Sequence, residues 1–415
     1  MSVEKDFQRI LDEGKCIGCG LCASLFPDKL EMALGSGGYL RPAAGRPLTD
    51  AETETIYGVC PGVVQAGLPE TAAEVDEVWG PIVDIVMAHA SDPETRHRAA
   101  TGGVLTALCQ FLLASGRVQS VLQVAAGGLR PSFGRAQVSR GRADLMQGAG
   151  SVYGPAAPLA ELHAQLARGE PFALVAKPCD TSAVRLLGRS DPRVGELITH
   201  FLTPVCGGIM PPFGMEAFLK REGIAPESVA AVSYRGNGCP GPTRFELKDG
   251  TVVEKTYLDF WGSDSSLWHL PWRCKVCPDG TGEAADIAAA DAWPGGAPTE
   301  EMMENDPGSN AVIVRTEAGA ELLQAAAEAG YLTLEGPATT RDLDDWQPHQ
   351  VRKKIAAGAR YEGMHRAGQL GIDTIGLRTE ALRARMDPED DRGQVAGTQD
   401  RIAIGKHRDD FGVED

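Results

Sequence analysis

The chain has 415 residues, 43% hydrophobic and 23% charged, a balance ordinary for a globular protein of two or three cores. Its formal net charge of −17 argues against nucleic acid and anionic membrane as partners. No apolar run reaches the roughly 18 residues of a spanning helix, and the N-terminus lacks an apolar signal core, so the expected compartment is the cytoplasm. There, the 10 cysteines are expected as metal ligands or free thiols rather than disulfides.

Residues 1–65 read as a small cysteine-bearing module. In CIGCGLC, Cys16, Cys19 and Cys22 stand at two-residue gaps, and a remote Cys60-Pro61 follows. Three thiolates on one short loop with Gly18 and Gly20, plus a distant fourth, match the spacing that holds a cubane iron–sulfur cluster. A zinc loop is the alternative, but zinc sites usually pair CxxC with a second CxxC or with histidines.

Residues 66–80 read as a linker, and 80–90 as a buried strand. In 100–116, Leu105, Leu108, Leu112 and Leu113 recur at helical spacing. Thr101 is the expected cap, with Gly102 and Gly103 in the first turn, where bare N–H groups and the helix dipole suit a pyrophosphate. A strand over 118–126 follows. Gly150-Ser151-Val152-Tyr153 is read as opening another helix and offering a second polar contact.

PFALVAKPCD (171–180) is a strand ending in a turn at Cys179, then a helix. LITHFLTPVCGG (197–208) is again strand then turn, with Cys206. Strands ending in turns with helices between them indicate an α/β core. After about residue 228 the alternation is that of an antiparallel sheet. ADIAAADAW ends a strand with Asp291 beside Trp293, placing a carboxylate next to a flat ring. From about 385 the tail is polar and acid-rich, and is expected to be mobile or an arm on a neighbour.

Cys274 and Cys277, in WRCKVCPDG, join Cys179 and Cys206 as a second set of four. Strand ends on one edge of a parallel sheet face one crevice, so these thiols can converge on a second cubane. CxxC alone also marks a redox dithiol or half a zinc site. Cys109 lies in the Leu-rich helix and reads as core. Cys239, in RGNGCPG, either replaces Cys179 as a ligand or lines a cofactor pocket. That segment is formally GxGxxG, but Pro240 inside it and a strand after it exclude a dinucleotide fingerprint. His200, His269 and His365 show no metal spacing.

Five segments, CIGCGLC, ATGGVLTALCQFLL, AKPCDTSAVRLL, YRGNGCPG and WRCKVCPDGTGEAADIAAADAW, together resemble the coenzyme F-420 hydrogenase/dehydrogenase beta-subunit family, whose relatives include 7-hydroxymethyl chlorophyll a reductase. The resemblance spans roughly residues 10–370. It implies FAD and two [4Fe–4S] clusters, one on Cys16, Cys19, Cys22 and Cys60, the other on Cys179, Cys206, Cys274 and Cys277. It further implies flavin contacts at Thr101, Gly102, Gly103, Ser151, Lys177, Arg235, Asn237 and Asp291. One departure stands out: the family usually has Trp where this chain has Cys239.

The expected fold is mixed α/β. A ferredoxin-like cluster module (1–65) precedes an α/β flavin-binding region (80–165), a β-rich region with the second cluster and further flavin contacts (166–340), and a helical segment with a polar tail (341–415). The expected function is an oxidoreductase passing electrons from a ferredoxin-type donor through both clusters to FAD and a small organic substrate. The alternative is an electron-transfer beta subunit of a hydrogenase or dehydrogenase complex using coenzyme F-420 or a nicotinamide. A homo-oligomer is consistent with either.

Overall fold

A computed structural model describes residues 6–69, 74–262, 267 and 269–411. At its centre is an eight-stranded sheet, ordered Leu332–Pro337, Asp84–Ala90, Asn310–Val314, Ile287–Asp291, Ile198–Pro204, Phe172–Val175, Ser120–Ala126 and Gly134–Ser139. The four strands from Ile287–Asp291 to Ser120–Ala126 in this order run parallel. The flanking pairings are antiparallel, so the sheet is mixed.

Central strands are apolar throughout because helices cover both faces. Ala173 and Leu202 face the helices Val104–Ala114 and Glu317–Glu328, packing on Leu108, Leu112 and Leu322. Their neighbours Phe172, Leu174 and Phe201 face the opposite way, against Val184 and Leu187 of the helix Pro178–Leu187. Successive strand residues alternate faces, so each strand feeds two cores. The parallel strands deliver their carboxyl ends to one edge, where Val175 leads to Cys179, Pro204 leads to Cys206, and Asp291 ends its strand.

After residue 228 the antiparallel reading holds for Val229–Ser233, Thr243–Leu247 and Val252–Lys255, which form a separate three-stranded sheet. The last of these strands stops at Lys255, and the helix Tyr257–Gly262 follows with Phe260 and Trp261 buried.

Four local expectations are corrected. The 66–80 segment is not a free linker: Val64–Ala66 pairs in parallel with Asp373–Ile375, and Trp79 is fully buried with its indole N–H on Asp344 at 2.8 Å. Residues 70–73 of that segment lie outside the described residues. Thr101 does not cap its helix. The helix begins at Val104, because Gly103 turns the chain in the left-handed region at φ 76°. Ser151 lies in irregular chain, and the next helix starts only at Leu162.

The tail is folded rather than loose. Its helix Pro388–Ala403 packs on Ala357–Arg366, where a side chain at Gly363 would meet the Val395 carbonyl at 2.6 Å. Residues 404–411 then cover the cysteine module, with the Arg41 guanidinium gripping Asp409 at 2.6 and 2.7 Å. The helix hides its seam in sequence because only Val395 and Thr398 are fully buried among polar neighbours.

Trp79 joins the segment 74–82 to the sheet and to Leu343. Trp79→Ala is expected to destabilise the protein by about 3–5 kcal/mol, the usual range for deleting a buried aromatic ring. Urea denaturation followed by circular dichroism checks this.

Candidate functional site

The first cysteine set is built by a loop and a helix end. Gly18 and Gly20 sit at φ 68° and 86°, which lets the loop curl so that Cys16, Cys19 and Cys22 face inward. Cys60 arrives at the C-cap of the helix Asp50–Val59, a helix fixed at its start by a Thr49/Glu52 capping box. All four line one cavity, otherwise walled by apolar groups such as Phe7, Ile10, Leu21 and Ile56.

Burial raises every thiol of this set, Cys60 to about 12. The charges of Cys16 and Cys60 push Cys22 up further. Burial and mutual repulsion therefore favour the neutral thiols until a metal supplies positive charge. Four sulfurs around a cavity suit a polynuclear cluster that fills the space.

The second set also converges. Cys179 lies in the first turn of Pro178–Leu187, and the charges of Cys206 and Cys277 reach it. Cys206 is in turn raised by Cys274 and Cys277, with burial the largest cause. The Cys206 amide donates to the Gly280 carbonyl at 2.8 Å, tying the strand-end turn to the CxxC loop. The Asp279 carboxylate locks that loop by accepting from the amides of Thr281, Gly282 and Glu283 at 2.9–3.0 Å. Cys179 and Cys19 belong to one apolar core, with Cys274 packed against it, so the two sets are neighbours.

The expected flavin contacts divide. Thr101, Arg235 and Asp291 meet at the carboxyl edge of the sheet. Arg235, 5% exposed, donates to both Asp291 oxygens at 2.9 Å, to the Thr101 hydroxyl at 3.0 Å and to the Ala100 carbonyl at 2.8 Å. The Thr101 hydroxyl also donates to Asp291. The guanidinium lies over the rings of Trp293 at 4.8 Å and Tyr257 at 5.5 Å. Burial opposes its charge, but Asp291 more than compensates and holds it charged.

Asn237 follows on a left-handed turn at φ 59°, and the Gly238 amide donates to the His97 carbonyl at 2.9 Å. Gly150, beside Ser151, packs on the Arg235 carbonyl, where a side chain would approach to 2.8 Å. Gly102 has a structural reason for its bare backbone: a side chain there would meet the Asn310 amide at 2.8 Å. The Val104 amide at the helix start is taken by the Asn310 side chain at 3.3 Å.

Lys177 does not join this group. It pairs with the buried Asp180 and lies between the two cysteine sets, close to both Cys179 and Cys19. Cys239 is placed with the other group. It is 3% exposed, and its neighbours are Asp306, Arg235, Asp291 and Trp293 rather than the second cysteine set. Tyr257, beneath the Arg235 guanidinium, and Arg273 carry no motif of their own in the sequence. Only Arg273 had a local signal, since it directly precedes Cys274.

A mixed α/β sheet thus carries two four-cysteine groups and a strand-end cluster of Thr101, Arg235 and Asp291. Family models described as coenzyme F420 hydrogenase/dehydrogenase beta subunit match residues 85–163 (N-terminal part) and 169–340 (C-terminal part). The chain belongs to this family of oxidoreductase subunits. It is 26% identical over 261 residues to the F420-dependent formate dehydrogenase 1 subunit beta of Methanococcus maripaludis, covering 61% of this chain and 62% of that subunit. Its fold is similar to a chain of the xenon-derivatised F420-reducing [NiFe] hydrogenase complex of Methanosarcina barkeri. There the TM-score is 0.53 at 19% identity, covering 70% of this chain and 95% of that one. Among the described residues, no helix is long and apolar enough to cross a membrane.

Arg235→Met strips Asp291 of its bidentate partner. The expected cost is about 2–3 kcal/mol of stability, the worth of charge-assisted hydrogen bonds. Arg235→Lys restores only part, since an ammonium cannot reproduce the fork. Thermal unfolding of both variants tests this.

Proposed function

We propose that this protein is the electron-transfer beta subunit of an oxidoreductase complex. In this reading it exchanges electrons between a partner subunit and a mobile two-electron carrier, coenzyme F420 or a nicotinamide. Cys16, Cys19, Cys22 and Cys60 hold one [4Fe–4S] cluster, and Cys179, Cys206, Cys274 and Cys277 hold a second. A flavin sits at the strand-end pocket of Thr101, Arg235 and Asp291. The observation that carries this reading is the gathering of Cys16, Cys19, Cys22 and Cys60 around one apolar cavity, with Cys19 sharing a core with Cys179 and Cys274 of the second set.

The family match supports the beta-subunit assignment over a free-standing, ferredoxin-fed reductase. The clusters supply one-electron exchange and a flavin converts it to two-electron chemistry. The chain's own residues do the rest. Apolar side chains such as Ile17, Leu21 and Val59 keep water from the sulfurs, which lowers the local dielectric and protects the ligands. Asp279 and Gly280 hold the CxxC loop against the Cys206 turn, so the second set is shaped before metal enters. Arg235 holds the Asp291 carboxylate at a fixed place beside Trp293, where a flat ring can lie against a charged and an aromatic group. Cys239 brings a small thiol to that wall, where the family usually carries a large indole, and so leaves more room beside any bound ring.

Anaerobic reconstitution of the full chain is expected to yield about eight irons per chain, two cubanes, with bound flavin and cubane signals in electron paramagnetic resonance. Iron far below this, with zinc in its place, rejects the reading. Cys16→Ser is expected to lose only the first cluster and keep flavin, whereas Cys274→Ser disturbs the sheet-edge loop and costs more. Reduction by F420H2 or NADH, compared with reduction by ferredoxin, separates the subunit reading from the free-standing reductase.

A further inference from the structure

Arg273 is the largest charged side chain buried between the two cysteine sets, at 1% exposure. In sequence it adjoins Cys274 of the second set. In space its Nε donates to the carbonyl of Pro61, the residue after Cys60 of the first set, at 2.6 Å. Its Nη2 donates to Gln65 Oε1. Gln65, itself fully buried, donates onward to the Asp279 carbonyl at 3.4 Å, the same carbonyl that accepts from the Cys277 thiol at 3.3 Å. A single guanidinium therefore ties the backbone beside one set to the loop of the other.

Both hydrogen bonds of Arg273 end on neutral oxygens, which orient the cation without neutralising it. A buried charge requires a counter-charge. The groups bearing most on Arg273 are Cys277, Tyr361, Cys179 and Cys274, and it acts in turn on Cys60. Its natural counter-ions are the thiolate sets themselves. Resting on the two-cluster reading above, we infer that Arg273 is a positioning residue shared by both clusters: a fixed cation that raises both reduction potentials and offsets the repulsion between two neighbouring anionic centres. A positive charge held in low dielectric favours whichever form of a cluster carries more negative charge, which is the reduced one. The nearer second cluster feels it more strongly.

The test is a redox titration of the reconstituted full chain, followed by electron paramagnetic resonance, with iron content measured on each sample. In Arg273→Met both potentials fall, the second cluster's further than the first's. Arg273→Lys keeps the charge without the fork and recovers much of the fall. Gln65→Glu sets a carboxylate against the guanidinium while leaving all eight cysteines and Arg273 itself in place, and it lowers both potentials too. If Arg273→Met does not take up iron, Gln65→Glu alone decides. Unmoved potentials in an iron-replete variant, or a fall confined to one cluster, overturn the shared role. Failure of the two-cluster reading is seen separately, as absence of two cubanes in the unsubstituted chain.

Discussion

The structure depends on how buried sulfur is held. Ten cysteines in a 415-residue chain could scatter through its cores, yet eight of them gather in two groups, and burial raises the thiols of Cys16, Cys19, Cys22, Cys60, Cys179, Cys206 and Cys274. Packing so many ionisable sulfurs into apolar walls opposes their charged form unless metal compensates it. The surrounding elements follow from that constraint. A capped helix brings Cys60 to the first loop, the parallel strands end where Cys179 and Cys206 are needed, and Asp279 ties down the loop that carries Cys274 and Cys277.

The carboxyl edge of the parallel strands serves two purposes at once. Its inner strand ends supply sulfur to the second set, and its outer end supplies Asp291 to the arginine pocket. A single edge of a sheet thus brings the second cysteine set and the Thr101–Arg235–Asp291 cluster to the side of the sheet where open α/β folds commonly bind ligands. Lys177 and Arg273 both lie near cysteines, Lys177 by Cys19 of the first set and Cys179 of the second, Arg273 by Cys179, Cys274 and Cys277.

The C-terminal region shows how composition can mislead. The segment from 388 is rich in acid and amide groups, yet it forms a helix whose Val395 and Thr398 seat on the glycine-bearing face of Ala357–Arg366. Residues 404–411 continue onto the cysteine module through the Arg41–Asp409 pair. The linker reading of 66–80 fails for a related reason, since one residue, Trp79, anchors polar surroundings to the sheet. Short pairings and single anchors carry little periodicity, so no local pattern reveals them.

Local spacing alone determined the first cysteine group, the alternating strands and helices around the core, the antiparallel segment after residue 228, and the family. Each is written in neighbouring residues, as ligand gaps or as hydrophobic period. Only the tertiary structure decided which distant groups meet. It put Cys179 rather than Cys239 near Cys206, paired Lys177 with the buried Asp180, bound Thr101 to Asp291 instead of its own helix, and set Arg273 against the backbone beside Cys60. The physical reason is that a strand's end point and a loop's tether depend on sheet order and on where buried charges find partners, and neither is encoded at the spacing of adjacent residues.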